Sequence, residues 1–383
     1  MNKVIKLFNY CIIRLFSLFP IRENYIVLHS IPDYSDNAWA FYHYLIQRQK
    51  NKKYKIIWLV KSPDRYKREN NVRYIDNNVK VFWLRRDYYL AVSKYVVFTH
   101  SAPIRKWRKK QVFINTTHSA SQLKASSGAG ESNSRFIVPD YYLRCGQVGL
   151  QRMMMGLKQP KEKFVILGMP RLDLLFQHRN CIEILFPQRR VKKSIIALET
   201  FKQSKTWNDS SRNVSYGLNI LNMISEVEKL DIELNKRDIL LIIKPHPLQD
   251  LSYIAMEKLK NIEFVTDSCL EKKEIQLYEL LENCDGLLTD YSSVYYDYLF
   301  LNRPIGFMVG DINEYKRGFI IQDPIKEMPG EIIHNLDGLV TFIENLIRGN
   351  DMFVEEREKL KQSVFKYCDN NNSKRLLAFI ESK

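Results

Sequence analysis

Glycine and proline are scarce in this 383-residue chain, with 14 and 13 copies. That excludes collagen-like and linker-dominated architectures. The six cysteines (Cys11, Cys145, Cys181, Cys269, Cys284 and Cys368) never approach a C-x-x-C spacing. This argues against a zinc site and a disulfide framework, and suits a reducing compartment. No acidic or histidine cluster has metal-ligand spacing, so neither metal nor cofactor is expected. No run reaches the roughly 18 apolar residues of a membrane-spanning helix, and no solenoid period repeats. What is abundant is core material, 45% hydrophobic and 12% aromatic residues. A chain of this size and composition predicts two domains or one large α/β unit.

The formal charge of +16 points to an anionic partner: nucleic acid, acidic lipid or a phosphorylated substrate. A dense basic run, Arg105-Lys106-Trp107-Arg108-Lys109-Lys110, stands without any RNA-recognition or helix-turn-helix signature, so nucleic acid is not expected. Residues 1–20 read as an amphipathic helix ended by Pro20. Asn2, Lys3, Lys6, Asn9, Arg14 and Ser17 gather on one arc, opposite Phe8, Ile12, Leu15, Phe16 and Phe19. This predicts an in-plane helix on an anionic membrane surface; a first helix packed on its own domain is the plainer alternative.

Beyond Pro20, short apolar runs alternate with helical patterns. Strands are predicted at 24–29, 54–60, 79–83, 95–99, 111–115, 136–138, 141–145 and 164–168, with a helix at 37–48. A Ser- and Gly-rich stretch at 119–130 reads as a mobile loop. After a polar, basic boundary near Pro187 the pattern restarts. Strands are predicted at 194–198, 239–243, 262–265, 286–289 and 304–308, with helices at 213–230, 278–282, 294–301, 336–348 and 352–367. Alternation of this kind implies two parallel α/β domains in tandem, with ligands bound at the strand carboxyl ends. The divisions are 1–20, 21–188, 189–345 and a helical segment at 346–383.

Four strand ends carry candidate chemistry. In Leu288-Thr289-Asp290-Tyr291-Ser292-Ser293-Val294, a strand delivers Asp290 and two hydroxyls to a helix start, suited to phosphate or to a plain serine cap. Lys244-Pro245-His246-Pro247 brings a point charge and a proton carrier to the end of a buried strand. Asn115-Thr116-Thr117-His118-Ser119 does the same in the first half, where His118 would face His246 across a cleft. In Gly168-Met169-Pro170-Arg171-Leu172-Asp173, Arg171 suits bidentate phosphate contact or a structural pair with Asp173.

Lys244-Pro245-His246-Pro247, Thr289-Asp290-Tyr291-Ser292-Ser293 and Asp297 together resemble the CDP-glycerol glycerophosphotransferase family. The Gly168–Asp173 segment is similar to that family's Gly-Tyr-Pro-Arg-Asn-Asp, and Leu198-Glu199-Thr200-Phe201-Lys202 to its Ala-Pro-Thr-Phe/Trp-Arg. Tyr34-Ser35-Asp36-Asn37 and Arg303-Pro304-Ile305 match more loosely. The family's Trp-His-Gly-Thr-Pro is represented only by His118 within Thr117-His118-Ser119-Ala120-Ser121, a divergence on the acceptor side. The resemblance implies a GT-B fold, with the acceptor held by the N-terminal domain and the nucleotide by the C-terminal one. It implies transfer of a polyol phosphate, glycerol phosphate foremost, from a CDP-polyol to a hydroxyl of a lipid-linked glycan or polyol-phosphate acceptor, with CMP released. On this reading His118 and His246 are catalytic, and Lys244, Ser292, Ser293, Asp290, Thr200 and Arg171 bind the donor. The protein would sit peripherally on the cytoplasmic face of the membrane. A GT-B glycosyltransferase using a nucleotide sugar is the alternative, and a non-enzymatic glycolipid-recruiting scaffold a more distant one. Polyol, acceptor and oligomeric state stay open.

Overall fold

The structure is a computed structural model that describes residues 12–77, 83–100, 106, 108–124, 138–200, 218–221, 223–246, 249, 259–310, 312, 315 and 318–383. Two all-parallel sheets organise it. The first contains β1 (Arg22–His29), β2 (Lys55–Val60), β3 (Val72–Asp76), β4 (Ser93–Phe98), β5 (Val112–Asn115), β6 (Tyr141–Arg144) and β7 (Phe164–Ile166), in the order β3-β2-β1-β4-β5-β6-β7. The second contains β8 (Lys193–Leu198), β9 (Ile239–Ile243), β10 (Ile262–Phe264), β11 (Gly286–Thr289), β12 (Ile305–Met308) and β13 (Glu331–Ile333), in the order β10-β9-β8-β11-β12-β13.

The composition of the strands explains their burial. Each residue of β9, Ile-Leu-Leu-Ile-Ile, is buried, as is every residue of β2 after Lys55. Such continuous apolar runs need cover on both faces, which parallel sheets receive from their crossover helices. In both sheets the order reverses at one place, between β1 and β4 in the first and between β8 and β11 in the second. Loops leaving the two central strands there diverge to opposite sides, opening a crevice at the carboxyl ends.

Several expectations shift. Strand β3 falls where none is predicted; of the strand expected at 79–83, Trp83 instead opens the helix Trp83–Val92, and 79–82 lie outside the described residues, as do 136–137. The helix expected at 213–230 runs instead over Ile224–Lys236. Residues 218–221 form a turn whose Leu218, Ile220 and Leu221 enter the second domain's core, and burial overrides their helical spacing. The helix foreseen at 294–301 stops at Tyr298. Helix Gln147–Leu157 falls where none is predicted, and the helical segment expected at 346–383 includes the helix Asn372–Glu381. The latter returns to the first domain, where Leu376, Leu377 and Ile380 join Ile26, Phe41 and Trp58 in one core. Asp173 caps it, accepting from the backbone N–H groups of Asn372 (2.9 Å) and Ser373 (2.8 Å).

The segment after His118 is no free loop as far as it is described. Ile320 N–H donates to the Leu123 carbonyl at 2.8 Å, and Lys124 bridges to Phe319, so residues 119–124 strap one domain to the other. At the other end, residues 12–16 are helical and Ile13 is buried with Val27, Ile57 and Phe98. Leu15, Leu18 and Phe19 stay exposed. The first eleven residues of the expected amphipathic helix lie outside the described residues.

Candidate functional site

The reversal point of the first sheet gathers histidines. His29 ends β1, and its carbonyl accepts from Thr99 N–H at 3.1 Å, just beyond β4. His100 follows with φ +48°, and Thr117, past β5, has φ +58°. Left-handed backbone at residues with a Cβ costs energy and persists where neighbours impose it. Asn115 imposes both: its Nδ2 donates to the His100 carbonyl at 2.9 Å and its Oδ1 accepts from Thr117 N–H at 2.7 Å. The two loops are thereby aligned, and the rings of His100 and His118 stack with centroids 4.4 Å apart and planes 6° from parallel.

His118 reaches solvent, yet protein surrounds it closely enough that desolvation leads the causes holding its pKa well below the ordinary value. His100, Arg171, Arg144 and Lys124 add positive charge that pushes the same way. Arg144 is fully buried, donating to the Ala120 carbonyl at 2.6 Å and to Thr117 Oγ1 at 3.4 Å, and burial lowers its pKa to about 10. The imidazole of His118 is therefore neutral near pH 7, its basic lone pair available.

Arg171 joins this rim to the second domain. Gly168 (φ +81°) permits the close approach of the last helix, since a Cβ there would lie 1.7 Å from Asn372 Oδ1. The chain then turns into the 3-10 helix Pro170–Phe176. The Arg171 guanidinium donates to Asp36 (3.1 Å), to the His118 carbonyl (2.9 Å) and to Asp297 (2.6 Å), and stacks over Tyr278 at 4.8 Å. Burial alone would lower its pKa, but the Asp297 and Asp36 carboxylates outweigh this and hold it well above the ordinary value. Asp297 stands on Val294–Tyr298, the helix that follows the two serines, so one buried cation ties the His118 loop to the Asp290-Tyr291-Ser292-Ser293 segment.

On the second sheet, β8 and β11 end side by side. The buried Asp290 carboxylate accepts from Thr200 N–H (3.0 Å), from Thr200 Oγ1 and from Ser292 N–H (3.0 Å). It thus locks together the two loops at the reversal point. Ser292 and Ser293 are half-buried, and among the described residues neither hydroxyl has a hydrogen-bond partner. Lys244 is buried and paired with Asp267 at 2.7 Å. His246 is half-buried; burial, then the charges of Lys124 and Lys244, lower its pKa to about 4, against the opposing pull of Asp267 and Asp290.

The Lys124 charge lowers the pKa of both His118 and His246, so a strand-end imidazole from each domain lies within electrostatic reach of that one ammonium. The structure thus joins Asp290, Thr200 and Ser292 directly, with Ser293 next in the chain and His246 within reach of the Asp290 charge, while His118 stands on the other domain. Lys244 and Arg171 belong to the same region, but as partners of Asp267 and of Asp36 and Asp297; a phosphate would have to compete with those carboxylates. Arg171 does not pair with Asp173, whose oxygens cap the last helix. Sequence reasoning missed His100 and Lys124. His100 had a signal, since it follows an apolar strand as His118 does. Lys124 had none, lying in a Ser- and Gly-rich stretch whose docking depends on residues nearly 200 positions away.

Comparisons with known proteins agree with this fold. The chain is 25% identical over 359 residues to the teichoic acid poly(glycerol phosphate) polymerase of Bacillus spizizenii, covering 87% of this chain and 86% of that protein. It is 25% identical over 407 residues to the teichoic acid glycerol-phosphate transferase of Staphylococcus aureus, covering 98% and 97%. The solved structure of the wall teichoic acid polymerase TagF superposes with a TM-score of 0.76 at 21% identity, covering 98% of this chain and 93% of that one, so the two share a GT-B-like fold. Residues 11–382 match the model of the CDP-Glycerol:Poly(glycerophosphate) glycerophosphotransferase family, and the chain belongs to that family.

Proposed function

We propose that this protein transfers a polyol phosphate, glycerol phosphate foremost, from a CDP-polyol to a hydroxyl of a glycan or polyol-phosphate acceptor, releasing CMP, in the synthesis of a cell-surface polymer. What carries the reading is that each domain contributes a strand-end imidazole, His118 and His246, and that both feel the charge of Lys124, on the strap that joins the domains through Phe319. In this mechanism His118 accepts the proton of the acceptor hydroxyl. The hydroxyl oxygen bonds to the polyol-bearing phosphorus as the bond from that phosphorus to the bridging oxygen breaks. CMP leaves with the bridging oxygen and the electron pair. General-base assistance of this kind is worth about 10²–10⁴-fold.

The second rim holds the donor. His246 donates a hydrogen bond to the diphosphate, Ser292 and Ser293 present two hydroxyls, and Asp290 with Thr200 keeps their loop in place. Lys244 and Arg171 contribute charge and position rather than direct contact, given the carboxylates that hold them. Fixed positive charge facing a transferring phosphoryl group stabilises its transition state without reorganisation.

Peripheral attachment to a membrane completes the reading. Leu15, Leu18, Phe19 and Leu84 are exposed, and Phe16 and Phe19 pack edge-on against Tyr88. Arg108 donates to the Phe19 carbonyl at 2.6 Å, which brings this cation beside the apolar edge. An apolar edge with a cation beside it suits an anionic lipid surface, where the acceptor's lipid anchor would lie.

The test of function is nucleotide release from a donor panel of CDP-glycerol, CDP-ribitol and nucleotide sugars. Release of CMP from a CDP-polyol is expected. Release of a nucleotide only from a nucleotide sugar would replace this reading with that of a glycosyltransferase.

A further inference from the structure

His100 has no part in the reading so far, yet the structure builds it into the site with care. The left-handed backbone at His100 and Thr117 is held by one side chain, the nearly buried Asn115, which hydrogen-bonds both loops. The only ring placed against His118 among the described residues is that of His100, at 4.4 Å and 6° from parallel. The His100 ring is itself located by its Nδ1, 3.2 Å from Thr99 Oγ1, a hydroxyl that also accepts from Ile31 N–H at 3.0 Å. Imidazole hydrogen bonds lie in the ring plane. A parallel stack therefore cannot pass a proton from one ring to the other, which excludes a relay. It can cover one face of His118 and fix the plane in which its lone pair points.

Resting on the proposed transfer through His118, we propose that His100 is a positioning residue for the reaction, backing the His118 ring so that its nitrogen meets the acceptor hydroxyl in the productive plane. Proton abstraction depends on such alignment, and small misplacements of a base cost large factors in rate.

The stack has a second consequence. Two imidazolium rings this close repel, so the pair holds one proton before it holds two. The Asp36 carboxylate favours a proton on His100, whereas Arg171, Arg144 and Lys124 oppose one on His118; Arg171 also opposes one on His100, and His29, with Arg86 acting on it, feels the His100 charge in turn. The carboxylate makes His100 the better home for the first proton, and a charged His100 keeps His118 neutral to lower pH.

The experiment is the pH profile of kcat/KM for CMP release from CDP-glycerol in the full chain, comparing wild type with His100→Phe, His100→Ala and His118→Ala. Phenylalanine keeps the stacked plane but cannot take a proton; alanine removes both. His100→Ala is expected to lower kcat about 10–100-fold with KM for CDP-glycerol within about 3-fold, the loss expected for a misaligned base. His100→Phe is expected to recover most of that kcat while moving the acid limb of the profile up by about 0.7 in pH, the repulsion of two unit charges at the stack's spacing in water. Wild-type kcat and an unmoved acid limb in both His100 variants overturn the proposal. So does a His100→Phe variant as slow as His100→Ala. Retained turnover in His118→Ala instead overturns the reading on which the proposal rests, and the two failures are thereby distinct.

Discussion

The two rims of the crevice are built from the same topological feature and furnished in opposite ways. At the first sheet's reversal the chain concentrates rings and buried cations: His29, His100 and His118 with Arg144 and Arg171 around them. At the second sheet's reversal it presents a buried carboxylate, Asp290, and the unbonded hydroxyls of Ser292 and Ser293. A rim of imidazoles fixed in place and kept neutral is equipped to move a proton. A rim of unsatisfied donors on a braced loop is equipped to receive an anion. The division of labour is thus a difference in which polar groups were left unsatisfied, on scaffolds of like topology.

The sharpest way to break the comparison is to remove the proton acceptor. His118→Ala should lower kcat for CMP release about 10²–10⁴-fold while the Kd for CDP-glycerol changes less than about 2-fold, measured by steady-state kinetics and calorimetry. A parallel loss of donor affinity would mean the first rim also binds the donor.

Cutting the joint between the rims comes next. Arg171→Met leaves Asp36 and Asp297 without their shared cation in a buried setting. Breaking a buried pair in this way typically costs about 3–5 kcal/mol, read as a lower denaturation midpoint. A loss below about 1 kcal/mol, the range of surface pairs, would show that the joint is unimportant.

Acid sharpens the contrast without mutation. His29 and His246 have folded pKa values lowered from 6.5 to about 4, in both cases chiefly by burial. Between those values the unfolded chain binds protons that the folded chain refuses, so stability falls as pH drops from 6.5 towards 4. Replacing both residues with Gln should flatten the dependence of the denaturation midpoint over that window; an unaltered slope would contradict the assigned burial.

The smallest effect belongs to the second rim's hydroxyls. Ser292→Ala and Ser293→Ala should each raise KM for CDP-glycerol about 2–10-fold with little change in kcat, the contribution of one hydrogen bond. An effect on kcat alone would move these serines from ground-state binding to the transition state.

Much of this site could be read from the sequence because its parts sit where local pattern is strongest. Apolar strands announce themselves, and Asp290, His246 and His118 stand at or just past strand ends. What could not be read were pairings across long distances. Arg171 finds Asp36 and Asp297 at separations of 135 and 126 residues, neither of which its own neighbourhood suggests. The helix Asn372–Glu381 looks like a terminal appendage until Leu376 and Ile380 are seen in the first domain's core. The turn at 218–221 has the spacing of a helix, and only the demand for apolar side chains beneath β8 and β9 explains why it is none. His100 is different, a strand-end histidine whose importance shows only once Asn115 is seen holding its loop against that of His118.

The central claim is that one diphosphate spans the two rims, gripped by the second and attacked from the first. Its most direct test is a crystal structure of the His118→Ala variant with CDP-glycerol bound. The account predicts the diphosphate within hydrogen-bond reach of His246 and of the Ser292 or Ser293 hydroxyl, about 3 Å, with the polyol-bearing phosphorus turned towards residue 118. A nucleotide seated away from the β8–β11 reversal, or one whose diphosphate points out of the crevice, would contradict it.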